Sequence, residues 1–491
     1  MINSVKIGNF KAFGETQEIP IKPLTLLFGK NSSGKSSLIH NLLFLKKYFE
    51  DRNLNIISIQ KNDHTIDLGG IKQFIHNSNL ENDLEFGFEF EKSTLIENKN
   101  ILAQINQDDS VKFNYRYKFE AVIDIKLVDQ PQIKYLKLSG RQIPSSEKEK
   151  SYDRILLKFV PQKGSTKRLQ LTSILPFEDP AWLCLLDEQD IKLLIYNEVS
   201  FHVDRLRKED YQMMANNLEI NVLQEEELSK EFPQSSNVLN MLWYGYFTSL
   251  LKPIRNWLID NCKFSYLPPI RRIPKRNITS SDFNIEKYWH EIIENYNERK
   301  IINTFLTHPT LLGLPYKLVV EDYQSSSRNN KIKVLRLKDT RNDNLLSFKD
   351  VGTGISQVLP ILAMIVAMKN EIILIEQPEL HVHPALQSKL GKILSRIPKT
   401  SNRAIIETHS EHIIKAIQLE VAKFKSTNGK EGLDRSNLAI LYFSNENGRS
   451  IVREIELDDV GNFNEPWPDD FFDSSTDLTM ERLKLFGKSK N

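Results

Sequence analysis

One short segment constrains this chain more than any other. Thr25-Leu26-Leu27-Phe28 is a short, largely apolar run, and Gly29-Lys30-Asn31-Ser32-Ser33-Gly34-Lys35-Ser36-Ser37 follows it at once. From Lys35 to Phe49 the residues Leu38, Leu42, Leu43, Leu45 and Phe49 return at helical spacing. An apolar strand, G-x-x-x-x-G-K-S and an amphipathic helix in that order call for a sheet covered on both faces. The glycines let the backbone turn its N–H groups inward around an anion, and the helix points its positive end at the same place. Lys35 is expected on the β- and γ-phosphates and the Ser36 hydroxyl on Mg²⁺, so residues 29–37 predict ATP and Mg²⁺ as ligands.

The second half of such a site needs a carboxylate at the end of an apolar strand. Ile372-Ile-Leu-Ile-Glu376 supplies one, followed by Gln377-Pro378-Glu379-Leu380-His381-Val382-His383-Pro384. About 20 residues earlier, Asp350-Val-Gly352-Thr353-Gly354-Ile-Ser356-Gln357 is a glycine-rich turn opening a helix, a second anion-ready helix start. Glu407-Thr408-His409-Ser410 follows a later strand, and His409 behind a P-loop reads as a sensor of the γ-phosphate. Around these turns the pattern predicts helix 355–368, strand 372–375, helix 385–395, strand 404–407 and helix 411–424, the alternation of a doubly wound α/β sheet.

The remainder is less uniform. Leu84–Phe90, Tyr115–Val128, Ile133–Leu138 and Arg154–Val160 alternate as half-buried antiparallel strands. Residues 200–312 turn helical, most clearly at Leu218–Leu228 and Val238–Leu258, and are interrupted by the Pro-rich basic segment Tyr266–Arg276. Strands are predicted at Ala439–Phe443 and Ile451–Leu457. The domain reading is an N-terminal lobe over 1–95, an insertion of strands and then helices over 96–340, a C-terminal lobe over 341–425 and a small α+β tail over 426–491. With 66 Lys+Arg against 64 Asp+Glu, no global field draws the chain to nucleic acid. Two cysteines without metal spacing, Cys184 and Cys262, point to a reducing cytosol, and no apolar run reaches the ~20 residues of a membrane span.

In this order, P-loop, glycine-rich turn, strand acid and switch histidine resemble the ABC-type ATPases of the SMC, RecF and OLD-like group. Ile7-Gly-Asn9-Phe10-Lys11-Ala-Phe13 is similar to their segment beside the nucleotide. Gly461-Asn-Phe463 and Trp467-Pro468-Asp-Asp-Phe471-Phe472 look like the small domain that closes a bacterial stand-alone subfamily. The resemblance implies an ATP-hydrolysing head that dimerises around two ATP molecules. Residues 29–37 would bind phosphates, Glu376 would hold Mg²⁺ through water, and Gly352, Thr353, Gly354 and Ser356 would act in trans. His409 would sense the γ-phosphate.

Two positions depart from that pattern. The trans turn lacks the usual Leu-Ser-Gly-Gly order, leaving Thr353 and Ser356 as alternative hydroxyls. Where the group has a catalytic Glu after the strand acid, this chain has Gln377, which orients water but accepts no proton. Either Glu379 takes over as base, or hydrolysis is slow and the ATP dimer long-lived.

Other clusters read more plainly. His381, His383, His409 and His412 suit no zinc spacing, and dimer-facing contacts explain the first pair better. Arg271, Arg272, Lys275 and Arg276 read as a solvated basic loop, with phosphate-backbone contact as the alternative. Three functions follow. The first is an ATPase that regulates or scaffolds a separately encoded effector, and the resemblance implies a nuclease effector in bacterial anti-phage defence. The second is a DNA-repair or chromosome-maintenance ATPase that clamps DNA directly. The third is a scaffold that binds ATP without hydrolysing it.

Overall fold

The computed structural model describes residues 2–50, 68, 71–96, 111–126, 132–143, 154–161, 169–174, 263–271, 278–279, 286–324 and 331–467. The helical windows at 218–228 and 238–258, both cysteines, residues 272–276 of the basic segment and the tail beyond 467 lie outside them.

The N-terminal part builds a seven-stranded antiparallel sheet from β1 (Ile2–Gly8), β2 (Gln17–Pro20), β4 (Leu84–Ile96), β5 (Val111–Asp124), β6 (Gln132–Gln142), β7 (Arg154–Pro161) and β8 (Leu169–Ile174), in the order β2-β1-β4-β5-β6-β7-β8. Its alternating pattern gives a face where Phe86, Phe88, Phe90, Tyr117 and Phe119 are buried. There Phe44 meets Phe10, Phe74 at the end of α2 (Ile71–Phe74) and Phe86 at ring separations of 5.6 to 5.8 Å. Phe44 lies on α1 (Lys35–Glu50), so this aromatic packing ties the antiparallel sheet to the helix after the glycine-rich loop.

The second sheet carries the site. β3 (Leu24–Gly29), β9 (Lys263–Leu267), β14 (Glu371–Glu376), β15 (Arg403–Glu407), β16 (Leu438–Glu446) and β17 (Arg449–Glu454) are ordered β17-β16-β3-β15-β14-β9. All neighbours run parallel except the β16–β17 hairpin. β3 and β14 are buried at every residue, as strands covered on both faces must be. Leu24, Leu26, Phe28, Ile373, Ile375, Ala404 and Ile406 join one apolar cluster. It includes α3 (Lys287–Glu294), α4 (Tyr296–Thr307), α5 (Thr353–Ala367), α6 (Pro384–Leu394) and α7 (Glu411–Ser426). The intervening Leu27, Leu374 and Ile405 are buried as well, and α1 packs on β3, β9 and β15. A smaller antiparallel sheet, β10 (Ile278–Thr279), β11 (Tyr316–Gln324), β12 (Lys331–Asp339) and β13 (Leu345–Leu346), adds Leu318, Leu335 and Leu337 to the same core.

The fold is thus α/β, mixed, with a parallel core. Two of its strands come from outside the lobes read in the sequence. β9 falls within 96–340 yet pairs with β14, and β16 falls within 426–491 yet pairs with β3. The chain crosses both boundaries because each strand needs a neighbour for its backbone N–H and C=O groups. No helix among the described residues is long and apolar enough to cross a membrane.

Candidate ATP site

β3, β15, β14 and β9 run parallel, so their carboxyl ends open along one edge of the sheet, where open α/β sheets bind ligands. Each end carries a site residue. After β3, Gly29 has φ +145° and a Cβ there would lie 2.3 Å from the Phe443 carbonyl oxygen. Gly34 has φ +105°, and its Cβ would fall 2.5 Å from Ser450 Oγ. Only glycine fits either place, and Ser32 between them is also left-handed at φ 61°. The loop is held from outside. The fully buried Ser450, at the start of β17, donates from Oγ to the Ser33 carbonyl (2.6 Å) and from its N–H to the Ala12 carbonyl (2.8 Å). Lys35 Nζ lies across the loop and donates to the carbonyls of Gly29 (2.9 Å) and Lys30 (2.8 Å). Burial lowers its pKa, opposed by Glu407 and Glu379. Of the other loop residues, Lys30, Asn31 and Ser32 are exposed and Ser37 is buried.

Two carboxylates face this loop. Glu376 ends β14, Glu407 ends β15, and the two are register partners. Both side chains therefore leave the same face of the sheet, on strands roughly 4.8 Å apart. Each is about 5% exposed or less. Ser36 Oγ donates to Glu407 Oε2 at 2.7 Å, and the Tyr266 hydroxyl, on β9, donates to Glu376 Oε1 at 3.0 Å. Burial and then the Glu407 charge push Glu376 up to about 7, and burial raises Glu407 too. Two buried, mutually repelling carboxylates beside a serine hydroxyl make a hard oxygen donor set that fits Mg²⁺. Among the described residues no group of three or more His, Cys, Asp or Glu could cage a metal alone. A cation here would share its shell with phosphate oxygens and water, as Mg²⁺ commonly does.

Behind Glu376 lies His40 on α1, with Nε2 3.9 Å from Glu376 Oε1 and Nδ1 2.6 Å from Lys11 Nζ. Burial and then Lys11 depress His40 to about 4. The ring is therefore neutral at pH 7. It accepts from Lys11 at Nδ1 and turns its N–H toward the carboxylate.

The turn after β14 is built from unusual backbone. Gln377 has φ 45°, and its N–H donates to the Glu407 carbonyl at 2.8 Å. Glu379, expected as an alternative base, spends both oxygens on the loop after β15: Thr408 Oγ1 donates to one (2.8 Å) and the His409 N–H to the other (2.7 Å). Burial raises its pKa. His409 is half-buried and held at about 4 by burial and then by Lys35, so it is neutral at pH 7. His381 is exposed at φ 62°, while His383 Nδ1 accepts from the Ala385 N–H and caps α6.

The glycine-rich turn resolves differently for its members. Gly352 is the N-cap of α5, and a Cβ there would meet nothing within 4 Å. Thr353 is exposed. A Cβ on Gly354 would lie 3.0 Å from the His381 carbonyl, so this glycine seats the turn against the chain's own 381–382 segment. Ser356 corrects one expectation: it is 1% exposed and donates from Oγ to the Thr353 carbonyl (2.9 Å), an ordinary back-bond inside its own helix. Its hydroxyl is not presented outward, whereas Thr353 is exposed.

A family model described as an AAA ATPase domain matches residues 1–414. The chain belongs to that family. A second model, described as a protein of unknown function, matches residues 433–481 of this AAA ATPase. No functionally curated protein matches it. Among solved structures it is similar to the Smc head bound to the C-winged helix domain of ScpA, at 10% identity and TM-score 0.36, covering 93% of this chain and 98% of that one. It is similar too to the Smc head domain with an extended coiled coil bound to the C-terminal domain of ScpA, from Pyrococcus furiosus, at 12% identity, TM-score 0.36 and 99% of both chains. The SMC head domain from Thermotoga maritima matches at 9% identity and TM-score 0.34, covering 93% of this chain and 99% of that one. Likeness at that level assigns neither activity nor partner.

Three residues of this AAA ATPase take places in the site that their sequence context does not assign. Glu407 had a visible signal, since Ala404-Ile-Ile-Glu407 repeats the apolar-strand-plus-acid pattern of Ile372–Glu376. Ser450 had none, because its role depends on a hairpin folding over a loop more than 400 residues away. Arg271 was read as part of a solvated basic loop and is instead 3% exposed. Its Nη2 donates to the carbonyls of Glu376 (2.8 Å) and Gln377 (2.7 Å). Burial lowers it to about 10, partly offset by Glu379, so it keeps its charge at neutral pH. Basic residues in a row look solvated in sequence, and only the end of β9 turns this one inward.

Proposed function

We propose that this AAA ATPase binds Mg·ATP along the carboxyl edge of its parallel sheet and hydrolyses it within a dimer closed around two nucleotides, as ABC-type heads do. The convergence of Ser36, Glu376 and Glu407 beside Lys35 carries the reading. Residues 29–37 bind the phosphates through backbone N–H groups and Lys35. Ser36 and the two carboxylates would hold Mg²⁺, which supplies charge neutralisation at the phosphates when bound. Thr353 of one copy, with Gly352 beside it, reaches the γ-phosphate on the other.

His409, neutral, contacts that phosphate through a hydrogen bond rather than a charge. Glu379 acts as a positioning residue for the 408–409 loop, because both its oxygens are engaged there. Gln377 orients the attacking water and accepts no proton from it, which makes turnover slow and the closed dimer long-lived. The motif resemblance extends the proposal to a cytoplasmic ATPase that restrains or scaffolds a separately encoded nuclease effector in anti-phage defence.

Single-turnover hydrolysis with size-exclusion chromatography tests the core of it. Wild type should hydrolyse ATP only with Mg²⁺ and shift to a dimer in Mg·ATP, and Lys35→Ala should do neither. ATP binding by Lys35→Ala at wild-type affinity would refute the site.

A further inference from the structure

We propose that Arg271 is a positioning residue for hydrolysis, the centre of a strut tying the helix that carries the trans turn to the Glu376–Gln377 turn. The inference rests on the roles given above to Gln377 and Thr353. The β9–β14 ladder ends at Leu267 and Ile375, so the carbonyls of Glu376 and Gln377 extend past it. One nitrogen of Arg271, Nη2, satisfies both. From the opposite side the Gln377 N–H is fixed to Glu407. A glutamine at φ 45° is backbone that side chains other than glycine and asparagine seldom adopt, and it persists only where its surroundings impose it. Here the clamps are Arg271 on one side and Glu407 on the other.

The strut's other end is Gln357. Its Nε2 donates to the Arg271 carbonyl at 3.2 Å, and it lies one helical turn beyond Thr353, on the same face of α5. A shift at the exposed Thr353 turn therefore reaches Gln377 through two side chains. Three polar atoms of the strut, Arg271 Nε, Arg271 Nη1 and Gln357 Oε1, are buried and have no hydrogen-bond partner among the described residues. Unmet buried donors and acceptors lower stability, and apolar side chains of similar volume would avoid that cost. What the guanidinium gains in return is the hold on the two carbonyls of the Glu376–Gln377 turn and a charge that offsets the buried Glu379 carboxylate.

The test uses Arg271→Met, which keeps the volume, and Gln357→Met, which leaves Arg271 in place. ATP Kd, the single-turnover rate and Tm are measured on full-length protein. Arg271→Met should keep Kd within about threefold of wild type and slow hydrolysis about 10²-fold, the scale of a small misplacement of reacting groups. Gln357→Met should slow it less, and the double variant no more than Arg271→Met alone, because both break one strut. Wild-type hydrolysis in Arg271→Met, or fully additive losses, would overturn the inference while leaving the ATP site intact. Should Arg271→Met fail to fold, Gln357→Met with an unchanged rate overturns it as well. A wild type as inactive as Lys35→Ala would remove the hydrolysis reading and the strut's role with it.

Discussion

Ser450→Ala tests whether the carboxyl-terminal hairpin is part of the nucleotide site. The hydroxyl makes one contact in the loop, 2.6 Å to the Ser33 carbonyl, and its backbone N–H stays bound to Ala12 in the variant. Alanine removes a single oxygen from a fully buried position and leaves the carbonyl unpaired, a cost of about 1–3 kcal/mol. Part of that cost is lost stability, and part is a wider range of loop conformations before ATP binds. If about 1 kcal/mol falls on the loop, the competent fraction drops and Kd for Mg·ATP rises about fivefold.

Isothermal titration of wild type, Ser450→Ala and Ser444→Ala measures it. Ser444 lies on the same hairpin and its hydroxyl bonds Glu446 and the Ile451 carbonyl, so Ser444→Ala should bind as wild type. Equal affinity for Ser450→Ala, or an equal loss in Ser444→Ala, would refute the reasoning. Gly34→Ala should be worse than either, since its Cβ would fall 2.5 Å from Ser450 Oγ on backbone that disfavours any side chain.

Three more outcomes are expected. Gly352→Arg should abolish Mg·ATP-dependent dimerisation by size-exclusion chromatography with Tm unchanged, because its Cβ meets nothing within 4 Å; Gly354→Arg would strike the 381 carbonyl first and confound folding with closure. Glu407→Gln keeps an acceptor for Ser36 but removes a charge, so Mg²⁺ should bind roughly 10- to 100-fold more weakly in a titration at fixed ATP. Mg²⁺-dependent binding should also weaken as pH falls from 8 to 6. Glu376 is held near 7, so a proton competes with the cation below that pH, by up to about tenfold per unit. Glu376→Gln should flatten this dependence, and an equally steep profile in that variant would place the titration elsewhere.

Much of the site was legible because it is written in contiguous residues. The strand, Gly29–Ser37 and α1 are read from spacing alone, since phosphate binding by a backbone loop needs two glycines, a lysine and a hydroxyl at set offsets. The helices and strands between 353 and 426 came within about two residues of their expected bounds, because their apolar periodicity is strong and their starts carry signals such as the Ser410 cap and Pro384 in the first helical turn. β9 was not read as a strand. Only five residues long and followed by two prolines, it gains its pairing from β14, more than 100 residues on.

By itself the sequence determined the residues available: a G-x-x-x-x-G-K-S loop, a strand acid, a second glycine-rich turn and a histidine behind them. Tertiary structure decided which groups meet. It paired Glu407 with Glu376 through strand register, turned Ser356 into its own helix and left Thr353 outward, and engaged both oxygens of Glu379. It also drew Arg271 out of a basic run into the core and brought Ser450 onto the loop. Register and long-range burial depend on which strands lie side by side, and no local pattern in a chain of 491 residues encodes that choice.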